Sequence, residues 1–168
     1  MSTRWAEGRG CLSGPVVAAA VILPEGFSDP RIKDSKTIKS PKKREELARL
    51  IMDNAIAWGV GASSPQEIDQ INILQATFLA MRRAIDACSE TPDFLYIDGD
   101  KFPGYKDVPY ECVIKGDSKI LQISAASILA KVHRDQLMQS LDSEFPKYLW
   151  SRNVGYGTAD HISAIREI

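Results

Sequence analysis

Two aspartates of this chain stand where β-like runs of residues end. Asp98 closes the apolar run 94–97, and Asp117 follows the short run 110–114. Open α/β sheets gather their reacting groups at the carboxyl ends of the strands, so these two side chains can converge. Carboxylate oxygens are the ligands that hard divalent cations prefer. The pattern therefore predicts a divalent-metal site that contains Asp98 and Asp117.

The same two residues also fit a simpler interpretation. Asp98 is followed by Gly99, a pair typical of a turn, and Asp117 with Ser118 is typical of the N-cap of a helix. Spacing alone does not choose between a metal site and these local roles, so both interpretations stay open at this point.

A glycine-flanked arginine, Gly8-Arg9-Gly10, lies near the N-terminus. Glycine lets the backbone approach a ligand closely, and a guanidinium at the tip of such a turn suits a phosphate. The motif is short, and most motifs of this kind are only tight turns. A second polar segment, Asp34-Ser35-Lys36, lies near the end of the loop predicted from Pro24 to Thr37.

Composition and charge narrow the classes of protein open to this sequence. The chain has 168 residues, 44% of them hydrophobic and 26% charged, as is typical of one globular domain. Its formal net charge is −1, so any binding of nucleic acid has to come from a local basic patch. Three cysteines without a CxxC pair argue against a disulfide framework or a zinc site and favour a reducing cytosol. The apolar run 16–23 is too short to cross a membrane.

Strand-like and helix-like patterns alternate along the chain, which predicts an α/β fold. Residues 1–4 are too short to predict a strand by themselves. The predicted strands are 16–23, 58–62, the run that ends at Asp98, and 110–114. The predicted helices are 41–57, 65–88 with a break near Asn72, one from Asp117 or Ser118 to about Leu141, and a last one from Thr158 to Ile168. Ser40 before Pro41, and Ser64 with Glu67 at capping-box spacing, predict two helix starts.

A series of short motifs runs through nearly the whole chain. They are Gly8-Arg9-Gly10-Cys11-Leu12 through Leu23, Asp34-Ser35-Lys36, Glu67-Ile68-Asp69, Ile71-Asn72-Ile73-Leu74, Ile97-Asp98-Gly99, Lys115-Gly116-Asp117-Ser118-Lys119, Ala125 to Val132, Arg134-Asp135 and Gly155-Tyr156-Gly157-Thr158. Each is weak alone, but in this order they are very specific, and by them the chain resembles the type 2 ribonucleases H, the ribonuclease HII family. The resemblance implies a ribonuclease H-like fold, with a central mixed sheet flanked by helices, in a single domain over residues 1–168.

The resemblance also implies an activity. It implies an endonuclease that cleaves RNA paired with DNA or embedded in it, on the 5′ side of the ribonucleotide, and leaves 3′-OH and 5′-phosphate ends. It implies Mg²⁺ or Mn²⁺ held by four acidic residues, of which the third and fourth correspond to Asp98 and Asp117. The implied partner is nucleic acid, with no membrane, and the expected state is a cytoplasmic monomer.

The family's substrate-binding residues also have counterparts here. The family's motif that binds the 2′-OH and the phosphates at an RNA–DNA junction corresponds to Gly8, Arg9 and Gly10. Its tyrosine that stacks on the deoxyribose corresponds to Tyr156. Ser35 and Lys36 are expected near the same site, with Lys36 placed to contact a phosphate.

The N-terminal segment departs from the family pattern. The family's first strand ends in Asp-Glu-Ala-Gly-Arg-Gly, whereas this chain reads Trp5-Ala6-Glu7-Gly8-Arg9-Gly10. Trp5 and Ala6 therefore stand where the first two acids are expected, and both the N-terminal strand and the C-terminus look shortened. Because side chains alternate along a strand, Glu7 should face the same side as position 5.

Two hypotheses follow from this departure. In the first, Glu7, Asp98 and Asp117 form a three-acid metal site, and the chain is a nuclease of reduced activity. In the second, Glu7 is a solvent-exposed turn residue, and the fold binds RNA–DNA junctions through Arg9 and Tyr156 with little or no turnover.

Overall fold

The computed structural model describes residues 2–5, 14–144 and 163–166, with side chains over 14–140. In these ranges the elements are β1 (Ser2–Trp5), β2 (Val16–Ile22), α1 (Pro30–Lys33), α2 (Pro41–Asn54), β3 (Ala57–Ser63), α3 (Pro65–Ala87), β4 (Leu95–Asp98), β5 (Tyr110–Val113), α4 (Leu121–Glu144) and β6 (Ser163–Arg166). Two 3₁₀ turns, Ser35–Thr37 and Gly116–Ser118, complete the set. The strands and helices alternate over most of the chain, as the α/β prediction requires.

The strands form hydrogen-bonded pairs of both directions. β1 pairs with β6 and β2 with β3 in antiparallel orientation, while β4 and β5 are parallel. These pairs are three two-stranded sheets, and β6 also lies close to β2 and β1 close to β4. The predicted α/β fold with strands of both directions is therefore confirmed.

The strand β2 separates two hydrophobic clusters. Val16, Ala18 and Ala20 pack in one cluster with buried residues of α3 and β4, and Ala19 and Val21 pack in the other with α2 and α4. Successive side chains of a strand point to opposite faces, so an apolar residue at every position buries both faces. The central sheet is flanked by helices in the predicted way, and the Asp98 strand is held against the α3 face.

Two predicted helix starts are confirmed at the level of single hydrogen bonds. The Ser40 side chain accepts from the Lys43 amide at 3.4 Å. Ser64 and Glu67 form a reciprocal capping box at 3.1 and 2.9 Å. The predicted break in α3 is also present, because Asn72 has φ 71° and ψ 168°. α2 ends at Asn54 rather than 57, since Ala57 enters β3 and pairs with Ile22.

Several expectations about the chain's ends and loops are wrong. The first residues do form a strand, because β6 supplies the backbone partners that four residues cannot supply alone. The predicted C-terminal helix is replaced, in its described part, by β6 itself. The predicted loop before α2 contains the one-turn helix α1, which is capped by the Asp29 side chain accepting from the Arg31 amide at 2.8 Å.

The helix α4 begins at Leu121 and not at the predicted Asp117 or Ser118. Those two residues lie in the Gly116–Ser118 3₁₀ turn that precedes it. No helix in the described part of the chain is long and apolar enough to cross a membrane.

Candidate active site

Asp98 is the last residue of β4, and its side chain is buried. It is 2% exposed, and its Oδ1 atom accepts a hydrogen bond from the backbone amide of Gly116 at 2.9 Å. A buried carboxylate needs such donors, since an unsatisfied charge is expensive to desolvate. The hydrogen bond joins the end of β4 to the turn after β5.

That turn contains one residue in a left-handed backbone conformation and one tightly packed glycine. Lys115 has φ 55° and ψ 41°, a left-handed conformation that costs roughly 1–2 kcal/mol for a residue with a Cβ atom. At Gly116 a Cβ atom would lie 2.3 Å from Cδ1 of Ile123 and 3.4 Å from Oδ1 of Asp98. A side chain at 116 would therefore force the end of the Ile123 side chain to shift.

The turn delivers the second predicted carboxylate. Asp117 is 5% exposed and follows directly after the residue that bonds Asp98. Its Oδ2 atom lies 3.5 Å from Nζ of Lys36, which also donates to Oγ of Ser118 at 3.2 Å. The structure thus brings Asp98, Asp117 and Lys36 together. Asp117 lies inside the 3₁₀ turn and does not cap α4.

Ser35 is held by a chain of hydroxyl groups. Ser124 on α4 is buried, and its Oγ donates to the carbonyl of Ile32. The two serine hydroxyl oxygens lie 2.8 Å apart. Because the hydroxyl hydrogen of Ser124 is used in its bond to Ile32, Ser35 is the donor to Ser124. This arrangement fastens the loop that carries Lys36 to the helix that follows Asp117. Sequence reasoning singled out Ser35 and Lys36 but not Ser124, which looked like one of many small residues in an apolar helix.

A polar cavity of about 390 Å³ lies beside Lys36. Its lining residues are Ser35, Lys36, Ile38, Arg44, Ser127, Ile128 and Lys131. Three of these are cationic and none is a carboxylate, so the cavity favours an anion. Arg44 is oriented there by an ion pair with Asp135 at 3.5 Å and by the carbonyl of Ile38 at 3.4 Å. The sequence alone does not predict this cavity, because its lining residues come from two segments that are far apart in the chain.

The two buried carboxylates suit a hard divalent cation. Their donor atoms are oxygens, and the Gly116 amide fixes one carboxylate in place. Within residues 14–140, no group of three or more His, Cys, Asp or Glu side chains forms a metal cluster. A further ligand would have to come from elsewhere. Glu7, proposed for that role, lies outside the described residues, as do Gly8, Arg9, Gly10 and Tyr156.

Comparisons with known proteins point to one family. A family model described as Ribonuclease HII matches residues 7–168. The Ribonuclease HII of Bacteroides thetaiotaomicron is 53% identical over 160 residues, which cover 95% of this chain and 80% of that protein. The Ribonuclease HII of Parabacteroides distasonis is 55% identical over 159 residues, covering 95% and 79%. The crystal structure of ribonuclease H2 from Pyrococcus horikoshii superimposes with a TM-score of 0.69 at 30% identity, covering 87% of this chain and 77% of that one.

Proposed function

The chain belongs to the ribonuclease HII family, the type 2 ribonuclease H endonucleases, and on that premise we propose that it uses Asp98 and Asp117 to hold Mg²⁺ or Mn²⁺ and to hydrolyse RNA–DNA substrates. The substrates are RNA–DNA hybrids and DNA duplexes with a single embedded ribonucleotide. Water adds to the phosphorus on the 5′ side of the ribonucleotide, and the bond to the upstream 3′ oxygen breaks. The products carry 3′-OH and 5′-phosphate ends.

One observation carries the proposal: the buried carboxylate of Asp98 accepts from the amide of Gly116, and Gly116 directly precedes the second buried acid, Asp117. Asp98 and Asp117 would hold a divalent ion, which would supply Lewis-acid activation of water and neutralise charge at the leaving oxygen. The chain's own contribution is to fix Asp98 and to place Asp117 beside it. Lys36 lies next to Asp117, where its charge attracts the phosphate of the substrate.

Substrate binding is proposed for two further groups of residues. The cavity beside Ser35 and Lys36 is lined by three cationic residues, Lys36, Arg44 and Lys131, which supports nucleic acid as the partner. Gly8, Arg9 and Gly10 are proposed to grip the 2′-OH, which is the group that distinguishes RNA from DNA. Tyr156 is proposed to stack on the deoxyribose at the junction.

Glu7 is proposed as the third acid of the metal site. The family match begins at this residue, so Trp5 and Ala6 lie outside it. Glu7 is the one acidic residue in the segment from Trp5 to Gly10, which supports it as the N-terminal ligand. The second candidate function, a junction-binding module with little turnover, rests on the same segment, because Trp5 and Ala6 carry no carboxylate.

We also propose one domain over residues 1–168 that acts as a monomer in the cytoplasm. An odd number of cysteines without a CxxC pair supports a reducing compartment.

The test is cleavage of a labelled DNA duplex that carries one ribonucleotide. Cleavage 5′ of the ribonucleotide should require Mg²⁺ or Mn²⁺, stop with a chelator, and fall more than about a hundred-fold in Asp98→Asn, since even a supporting partner of a metal ligand is worth about 10- to 100-fold. Binding without cleavage, together with cleavage gained in the double variant Trp5→Asp, Ala6→Glu, would establish the binding module instead. Cleavage that is equal in wild type and Asp98→Asn would contradict both candidates.

A further inference from the structure

The side chain of Ile123 lies directly beneath the turn that carries Asp117. We infer that Ile123 is a positioning residue of the metal site, and that its Cδ1 methyl group sets how closely the turn approaches Asp98. The inference rests on the proposed function, because it takes Asp98 and Asp117 as the metal ligands.

The contact between Ile123 and the turn is already close. Ile123 is fully buried in the first turn of α4. A Cβ atom built on Gly116 would lie 2.3 Å from its Cδ1 and 3.4 Å from its Cγ2. The Cα atom of Gly116 is one bond away from that Cβ position, so it lies in van der Waals contact with the Cδ1 methyl group. Helix α4 thereby limits the position of the turn from below.

Gly116 also contacts the carboxylate. Its amide donates to Oδ1 of Asp98 at 2.9 Å, near the optimum for this kind of hydrogen bond. The same added Cβ atom would lie 3.4 Å from Oδ1 of Asp98. Gly116 thus contacts both a methyl group and a carboxylate, and a displacement of Gly116 moves Asp117, the next residue. Hydrogen-bonded partners that orient metal ligands are worth about 10- to 100-fold in metal affinity.

The test uses the variant Ile123→Val, which removes only the Cδ1 atom of that side chain. Titration calorimetry with Mn²⁺ and substrate-free protein should show an affinity about tenfold weaker than wild type. The matched control is Ile51→Val, since Ile51 is equally buried but lies in α2, away from the two acids. It should lose similar thermal stability and keep the wild-type Mn²⁺ affinity.

A rescue experiment tests the proposed steric cause. Gly116→Ala should weaken Mn²⁺ binding, because its methyl group strikes Cδ1 of Ile123. In the double variant Gly116→Ala, Ile123→Val that atom is absent, so the affinity should recover toward wild type. If Gly116→Ala does not fold, the comparison of Ile123→Val with Ile51→Val decides the question by itself.

The outcomes separate this inference from the proposed function. Equal Mn²⁺ affinity in Ile123→Val, Ile51→Val and wild type overturns the positioning role while the nuclease remains. Wild-type protein that binds Mn²⁺ no better than Asp98→Asn overturns the metal site itself. Weaker binding in Ile123→Val alone, with recovery in the double variant, supports the inference.

Discussion

The ammonium group of Lys36 lies 3.5 Å from Oδ2 of Asp117. The lysine side chain is 58% exposed and the carboxylate only 2%, so the pair lies at the edge of the site with its acid facing inward. Asp117, a proposed metal ligand, therefore has the positive charge of Lys36 beside it. Under the proposed function, Lys36 would compete with a metal ion for Asp117 and would also attract the phosphate of the substrate.

Replacing this lysine should therefore shift two affinities in opposite directions. In Lys36→Met we expect Mn²⁺ to bind roughly three- to tenfold more tightly, because a repelling charge near the carboxylate is gone. We expect KM for an RNA–DNA substrate to rise and its salt dependence to fall by about one counterion. Calorimetry and cleavage at several salt concentrations measure the two effects.

The matched control for that prediction is Lys39→Met. Lys39 lies in the same loop and lines a different cavity, away from Asp117. It should leave Mn²⁺ affinity unchanged. Tighter Mn²⁺ binding in both variants would mean that net charge, and not the Lys36–Asp117 contact, is responsible.

Ser124→Ala should detach the loop that carries Lys36. The change leaves the Ile32 carbonyl and the Ser35 hydroxyl without their partner, at a cost of about 1–3 kcal/mol in free energy of unfolding. KM should rise more than kcat falls, since the two acids keep their own contacts. Urea denaturation and steady-state kinetics test this, with the exposed Ser140→Ala on the same helix as control. A loss of stability with unchanged KM would confine Ser124 to folding.

The pair Glu67–Arg83 predicts a pH-dependent contribution to stability. Two hydrogen bonds from the Arg83 guanidinium, at 2.8 and 2.7 Å, lower the pKa of Glu67 from 4.5 to about 2. A carboxyl whose pKa is lower in the folded state stabilises the fold above the unfolded pKa and loses this effect as pH falls. The difference in Tm between wild type and Glu67→Gln should therefore be complete near pH 7 and should disappear between about pH 4.5 and pH 2. A difference that is constant with pH would show that the glutamine loses packing or capping, not charge.

The backbone conformation of Asn72 predicts that a glycine variant is more stable than an alanine variant. Its backbone has φ 71° and ψ 168°, a region that glycine adopts more easily, and its Oδ1 accepts from the Gln75 amide at 3.0 Å. Alanine keeps the strain and loses the cap, whereas glycine removes the strain. Asn72→Gly should be more stable than Asn72→Ala by about 1 kcal/mol, measured by urea denaturation. The reverse ranking would indicate that the kink is not strained.

Local pattern was sufficient for a large part of this fold. An apolar residue at every position of β2 predicts a strand buried on both faces, and the structure confirms it. Ser64 with Glu67 predicts the start of α3, because both capping bonds are made within four residues. The apolar run before Asp98 is enough to predict that this residue ends a strand, and it is the last residue of β4. The motif order was enough to identify the family.

The remaining features depend on residues that are far apart in the chain. β1 is a strand because β6 pairs with it, and four residues carry no sign of a partner more than 150 positions away. Ser124 matters because Ser35 and Ile32 fold onto it. The lack of room for a side chain at 116 is set by the methyl group of Ile123, which belongs to the following helix. Sequence by itself determined which side chains could do chemistry and where most strands and helices form, since these follow from local hydrogen bonds and periodicity. Only the tertiary structure decided how the turn that carries Asp117 contacts Asp98, because that contact depends on packing between separate elements.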